Sequence, residues 1–209
     1  MKFLKEILDS KSLQTKSIFL FFGKVSGFVV NFLIPIILVR YVSKIEFGYF
    51  QQFNLIYSSG VIIFSMWINS SLYYFFPKSN KHDKSLYIFL VFFIEILLWL
   101  FLLALFCFFK SEFLAYFSLQ EINNDLSFLI IFTLLLLFLS SILDFLFVVE
   151  DKKAHNLIFF PVDRFLKGIL IVLLTIFLSV DGIILGFFIY SIIRFIYTIV
   201  YCWKFIGDL

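Results

Sequence analysis

Apolar residues fill this chain in six long runs, at positions 17–39, 47–75, 85–109, 126–149, 157–179 and 182–203, with short polar segments between them. Each run exceeds the roughly 20 residues that a helix needs to cross a hydrocarbon layer about 30 Å thick. Backbone groups find no water partners in lipid, so such runs predict helices rather than open strands. The polar positions inside the runs are also ordered. In the first, Ser17, Lys24, Asn31 and Pro35 fall on one helical face; in the second, Gln51, Asn54, Ser58, Ser65 and Asn69 do so. Thr133, Ser140 and Asp144 share a face of the fourth, and Gly186, Tyr190, Arg194, Tyr197 and Tyr201 a face of the sixth. At about 100° per residue these are narrow polar stripes, expected to turn from lipid toward other helices or a watery cavity. The Ser and Thr members read equally as hydrogen-bonding contacts between packed helices.

Composition agrees with the pattern: the 209 residues are 63% hydrophobic and 22% aromatic, with 34 Phe. A soluble domain is nearer to about half apolar. The predicted fold class is an all-α membrane protein, a bundle of six transmembrane helices spanning 17–209. Residues 1–16 are too polar for a cleaved leader; Phe3, Leu4, Ile7 and Leu8 on one face among Lys2, Lys5 and Lys11 suit either a cytoplasmic segment lying on the membrane or a frayed polar tail. With the N-terminus inside, the inner segments hold Lys2, Lys5, Lys11, Lys16, Lys78, Lys81, Lys84, Lys152, Lys153 and Lys204. The outer ones hold only Arg40, Lys44 and Lys110. That asymmetry places both termini in the cytoplasm.

Charges inside the runs carry the candidate chemistry. Lys24, Arg164, Lys167 and Arg194 lie where a charge costs about 2.5 to 3.5 kcal/mol. At 1.5 Å per residue all four sit roughly 10 to 15 Å from the inner surface. They are candidates for a cationic cavity that binds an anion, with Asn31, Asn54, Ser58 and Asn69 as its polar lining. The embedded acids Glu95, Asp144 and Asp163 are candidates for a coupling ion or for pairing. Asp163 and Lys167, four apart on one helix, are placed to pair, and Asp144 and Arg164 fall at matching depth in adjacent helices. Lys24, Asn54 and Arg194 are expected to face one cavity.

Other features are weaker. Gly23-Lys24-Val25-Ser26-Gly27 and Gly182-Ile183-Ile184-Leu185-Gly186 permit close helix approach, Pro35 predicts a bend, and Asp181-Gly182 predicts a tight hairpin turn. His82 and His155 read as loop residues, and Cys107 and Cys202 as apolar filler at opposite membrane faces. No nucleophile motif, phosphate loop, dinucleotide fingerprint or ligand cluster is present. The expectation is a non-enzyme without metal or cofactor.

One stretch is more specific. Gly23-Lys24-Val25-Ser26-Gly27-Phe28 leads through Asn31-Phe32-Leu33 to Arg40-Tyr41-Val42-Ser43-Lys44-Ile45, then Glu46-Phe47-Gly48-Tyr49-Phe50-Gln51; the second run closes on Leu72-Tyr73-Tyr74-Phe75-Phe76-Pro77. This order and these loop lengths resemble the polysaccharide flippases of the multidrug/oligosaccharidyl-lipid/polysaccharide exporter superfamily. The resemblance implies a bacterial inner-membrane carrier for an undecaprenyl-pyrophosphate-linked oligosaccharide repeat unit of O-antigen, lipopolysaccharide or capsule. It implies two six-helix lobes around a central cavity with alternating access, and Lys24 as a residue meeting the pyrophosphate. This chain matches one lobe, so a second lobe or a second copy is the implied partner. The competing readings are a cation-coupled drug or ion exporter using Glu95 or Asp144, a membrane-embedded polysaccharide polymerase or ligase, and an inactive fragment or scaffold.

Overall fold

The computed structural model describes residues 13–117, 119, 124–150 and 153–206. The surface segment expected over 1–16 therefore falls largely outside the described residues, as do the side chains of Ser65 and His155. Among the described residues the chain is all helical: α1 (Leu13–Tyr41), α2 (Lys44–Asn69), α3 (Ser71–Phe75), a 3-10 turn (Phe76–Lys78), α4 (Lys81–Phe108), α5 (Lys110–Tyr116), α6 (Asn124–Val149) and a long segment, Lys153–Ile206. That last segment breaks at Ser179, the one described residue other than glycine with positive φ (53°, ψ −128°). We name its halves α7 (153–178) and α8 (180–206).

The break is a reversal. A Cβ placed on Gly182 would fall 2.0 Å from the Leu174 carbonyl oxygen, and one on Gly186 would fall 2.9 Å from Ile171 Cα. Residues eight and fifteen apart meet this way only if α8 runs back along α7. The Asp-Gly pair expected at the turn is used differently: the chain turns at Ser179, and Gly182 supplies the close approach. Gly27 does the same for α1, where a Cβ would stand 3.1 Å from the Phe160 carbonyl oxygen.

Four helical stretches are long and apolar enough to cross a bilayer: Phe21–Tyr41, His82–Phe108, Leu126–Val149 and Ile158–Phe205. The surface fits that reading, with Phe21, Phe22, Phe28, Phe32, Phe89, Phe93, Phe101 and Phe177 all exposed. The chain is a helical membrane protein. The second apolar run is not one helix: α2 ends at Asn69, and α3 follows Ser70. Here Ser71 Oγ donates to the Ile68 carbonyl (2.6 Å), and Pro77 then ends regular α-helix. Small polar side chains that bond the local backbone compete with continued helix. Between the third and fourth apolar runs, in a segment that is polar by its sequence, the chain forms α5.

α6 is the most buried of the crossing helices. It packs against α2, α4 and the α7–α8 hairpin, while α1 lies along that hairpin. Trp99 Nε1 ties α4 to α6 by donating to the Ile131 carbonyl (2.9 Å). Two apolar clusters result. The larger holds Phe53, Tyr57, Trp99, Leu134, Phe138 and Phe187; the smaller holds Leu72, Phe76, Ile88, Val91, Leu146 and Cys202. On α4, Glu95 falls between Val91 of the smaller and Trp99 of the larger. On α8, Arg194 falls between Tyr190 and Cys202. The buried polar residues thus form a layer between two apolar ones.

α2 begins with a reciprocal cap. Glu46 Oε2 accepts from the Ser43 N–H (2.7 Å), and Ser43 Oγ accepts from the Glu46 N–H (3.3 Å). The Ser43 backbone donor, the Ser43 hydroxyl and the Ser179 hydroxyl hold the Glu46 carboxyl below its ordinary range. Ser43→Ala should lower stability by about 1 kcal/mol. Because the folded value is depressed, the carboxylate's contribution is present above the unfolded value of about 4.3 and is lost as pH falls through the folded value. Thermal unfolding from about pH 6 down to about pH 3 should decline more steeply for the wild type than for Glu46→Gln. Parallel curves would show that the charge adds nothing.

Candidate functional site

The polar layer is organised by Arg194. Its Nη2 donates to Asp144 Oδ1 of α6 at 2.7 Å, and its Nη1 lies 3.7 Å from Asp163 Oδ2 of α7. Tyr190, one turn earlier on α8, donates its hydroxyl to the Asp163 carboxylate, 2.9 Å from either oxygen, and accepts from Arg194 Nη1 at 3.3 Å. One guanidinium thereby joins α6, α7 and α8. The fork geometry of arginine suits this, since several donors leave one planar group in fixed directions.

Two expected pairs are corrected by this geometry. Asp144 pairs with Arg194, not with Arg164. Both bases sit at similar depth, and Arg194 on α8 points at α6 while Arg164 turns into a cavity. Asp163 is taken by Tyr190 and Arg194, so Lys167 is left to donate to Asn54 Oδ1 of α2 (3.3 Å), with its ammonium 4.8 Å from the Phe187 ring centre.

Three cavities among the described residues adjoin the layer: one, about 440 Å³, is an apolar groove at Asp163 and Arg194 walled by Phe159, Val162 and Tyr197, and the other two are polar. The larger of these two, about 430 Å³, is lined by Lys24, Gly27 and Asn31 of α1, Arg164 and Phe160 of α7, Asp144 and Phe145 of α6, and Tyr73. The second, about 210 Å³, is lined by Ser58, Ser141, Asp144, Arg164, Lys167 and Arg194 among others. Asp144 and Arg164 line both, so the cavities meet at that pair. Lys24, Asn31 and Arg164 line the first, and Ser58, Arg164, Lys167 and Arg194 the second; Lys24, Asn54 and Arg194 do not face one cavity as expected, since Lys24 and Arg194 fall in different ones and Asn54 is bound to Lys167. Lys24 and Arg164 make no ion pair among the described residues, whereas Arg194 is held between two acids. The first cavity presents unneutralised positive charge beside aromatic walls, a surface suited to an anion that carries an apolar body.

Asn69 and Glu95 lie elsewhere. Asn69 is fully buried and lines neither cavity; its Nδ2 donates to Glu95 Oε1 (3.0 Å) and Ser141 Oγ (2.7 Å). Sequence reasoning missed Ser141. Its neighbour Ser140 shares the stripe with Thr133 and Asp144, but its hydroxyl donates to the Leu137 carbonyl of its own helix (3.1 Å). Ser141, three residues before Asp144, is also close to that face, and spacing alone does not choose between them. Tyr73 was readable only as part of the second run's end.

No protein-family model, characterised protein or solved structure matches this chain at a meaningful level.

Removing Arg194 would leave Asp163 buried without its cation and take from Asp144, which is about one-third exposed at the cavity, its paired base. Arg194→Ala should therefore destabilise the bundle by about 3 to 5 kcal/mol, read as a fall in thermal midpoint in detergent. Arg194→Lys should recover only part of it, because one ammonium cannot reach both carboxylates as the fork does. Full recovery by lysine would show that a point charge is sufficient.

Proposed function

We propose that the chain is a lobe of a membrane carrier that binds the diphosphate headgroup of a lipid-linked oligosaccharide and moves it across a bacterial cell membrane. One observation carries this reading: Lys24 and Arg164, from α1 and α7, line one cavity of about 430 Å³ and make no ion pair among the described residues, its one acid, Asp144, being held by Arg194. Lys24 is exposed and Arg164 half-buried at the cavity, so both are open to an incoming anion, and at membrane depth such an anion offsets the cost of their charge. The lining supports a phosphate rather than a small halide, because two cations with Asn31 between them offer several donors to several oxygens. Aromatic side chains at Phe28, Tyr73, Phe145 and Phe160 offer surface to an isoprenoid or a sugar. The resemblance of the Gly23–Gln51 stretch to oligosaccharide flippases points the same way. A second six-helix lobe, or a second copy of this chain, would complete the central pathway.

The reading includes six crossings, one each for α1, α4, α6, α7 and α8 and one for α2 with α3, and both termini in the cytoplasm. A cysteine placed at Ser79 in a Cys107→Ser background should react with an impermeant thiol reagent only after the inner face is exposed. Reaction from outside intact cells would overturn the topology.

The binding test uses the chain in lipid nanodiscs and a polyprenyl diphosphate. Lys24→Ala and Arg164→Ala should each weaken binding about tenfold, the value of roughly 1.4 kcal/mol for a charge-assisted contact. Binding of the uncharged polyprenol should not change. Equal diphosphate affinity in the wild type and the double variant would overturn the assignment.

A further inference from the structure

Glu95 sits in the middle of α4 with 1% of its surface exposed. Its Oε1 accepts from Asn69 Nδ2 at 3.0 Å and lies 3.4 Å from Ser141 Oγ. The Ser141 hydroxyl has one hydrogen, and its shorter contact, 2.7 Å, is to the Phe138 carbonyl. Asn69 Nδ2 spends its second hydrogen on Ser141 Oγ. The donors of the cluster are then used up, and two buried acceptors stay without one: Glu95 Oε2 and Asn69 Oδ1. Turning the Asn69 amide over does not remove the deficit, because Oδ1 would then face Oε1, again acceptor against acceptor. The cluster is short of one hydrogen in either orientation.

Among the described residues no cation supplies the balance. On the elements packed against α4, Asp144 and Asp163 hold Arg194, Glu150 holds Lys204, and Lys167 is bound to Asn54. Arg164 lines the cavities, and Asp181 stands at the α7–α8 turn. Lys44 and Glu46 are at the opposite end of α2 from Asn69; Lys110 and Glu112 lie beyond the end of α4, and His82, Asp83 and Lys84 in its first turn. None forms an ion pair with Glu95 among the described residues. A carboxylate in this place would be a buried charge with one good donor, which an apolar bundle does not tolerate.

We propose that Glu95 is a proton-binding site: a neutral acid whose Oε2–H donates to Asn69 Oδ1 while Asn69 Nδ2–H donates to Oε1, a cyclic acid–amide pair that pins the end of α2 to α4. Release breaks the O–H bond, leaves its electron pair on the carboxylate and passes the proton to water. Ser141 marks the route, since it touches Glu95 and Asn69 and also lines the cavity of about 210 Å³ that holds Lys167 and Arg194. The resulting anion keeps one amide donor and has no cation among the described residues, so α2 and α4 separate or admit water.

The test is infrared spectroscopy on the whole chain in nanodiscs, in sodium-free buffer at about pH 7, where an ordinary carboxyl is ionised. A protonated-carboxyl C=O band should be present, should shift when glutamate alone carries a carbon-13 side-chain carboxyl, and should vanish in Glu95→Gln. Glu95→Gln should also keep the wild-type thermal midpoint, since its amide supplies the missing donor. The isotope shift reads the wild-type protein and does not depend on the variant folding. Absence of the band, a band that ignores glutamate labelling, or one that survives Glu95→Gln would overturn the proposal. A band abolished by adding sodium would overturn it too, in favour of a metal-cation site.

Discussion

A guanidinium with 8% of its surface exposed, inside a bundle whose outside is phenylalanine and isoleucine, sets the terms for everything around it. Arg194 does not give up its proton in a protein, so the bundle must answer its charge. It does so with Asp144 on one side and Asp163 on the other, taken from α6 and α7. The consequence is geometric. α8 must run back along α7 for Arg194 and Asp163 to meet, which is why a serine is held at φ 53° at Ser179 and why glycine stands at 182 and 186. α6 must lie in the centre so that Asp144 reaches the same group. Tyr190 completes the arrangement by satisfying Asp163, freeing Lys167 to bond α2.

The apolar runs made the helices readable because length and periodicity are set by local rules: a bilayer's thickness and a turn of 3.6 residues. The stripes made the cationic positions readable for the same reason, since a costly charge must face inward. What stayed hidden depends on rotation about the helix axes. Depth placed Asp144 opposite a base, but Arg164 and Arg194 are both at that depth, and only the packing of α8 against α6 decides between them. The choice of Ser141 over Ser140 is of the same kind. The turn was drawn to Asp181-Gly182 because that pair is a strong local cue; tertiary contact instead required glycine for its missing side chain and moved the reversal to Ser179. The end of α2 at Asn69 could be guessed from Asn69-Ser70-Ser71. Its bond to Glu95 could not, because a hydrogen bond between residues 26 apart in sequence leaves no trace in spacing.

The two polar networks share α6. Ser141 touches the neutral pair of Asn69 and Glu95, and Asp144, three residues on, holds Arg194. Three residues on a helix turn the direction by about 60° and advance it by about 4.5 Å, so both networks lie in one layer on neighbouring faces. Apolar clusters above and below that layer keep the helices together without regard to direction, since packing of that kind is indifferent to charge. The polar layer is different. Each of its bonds is strong only while water is excluded, and each group has a second acceptable state once water enters. A bundle built this way comes apart most cheaply at its middle, with α2 and α4 on one side and the α7–α8 hairpin on the other. The cavity of about 210 Å³ lies between α2 and that hairpin, and Arg164, which has no ion pair among the described residues, lines it.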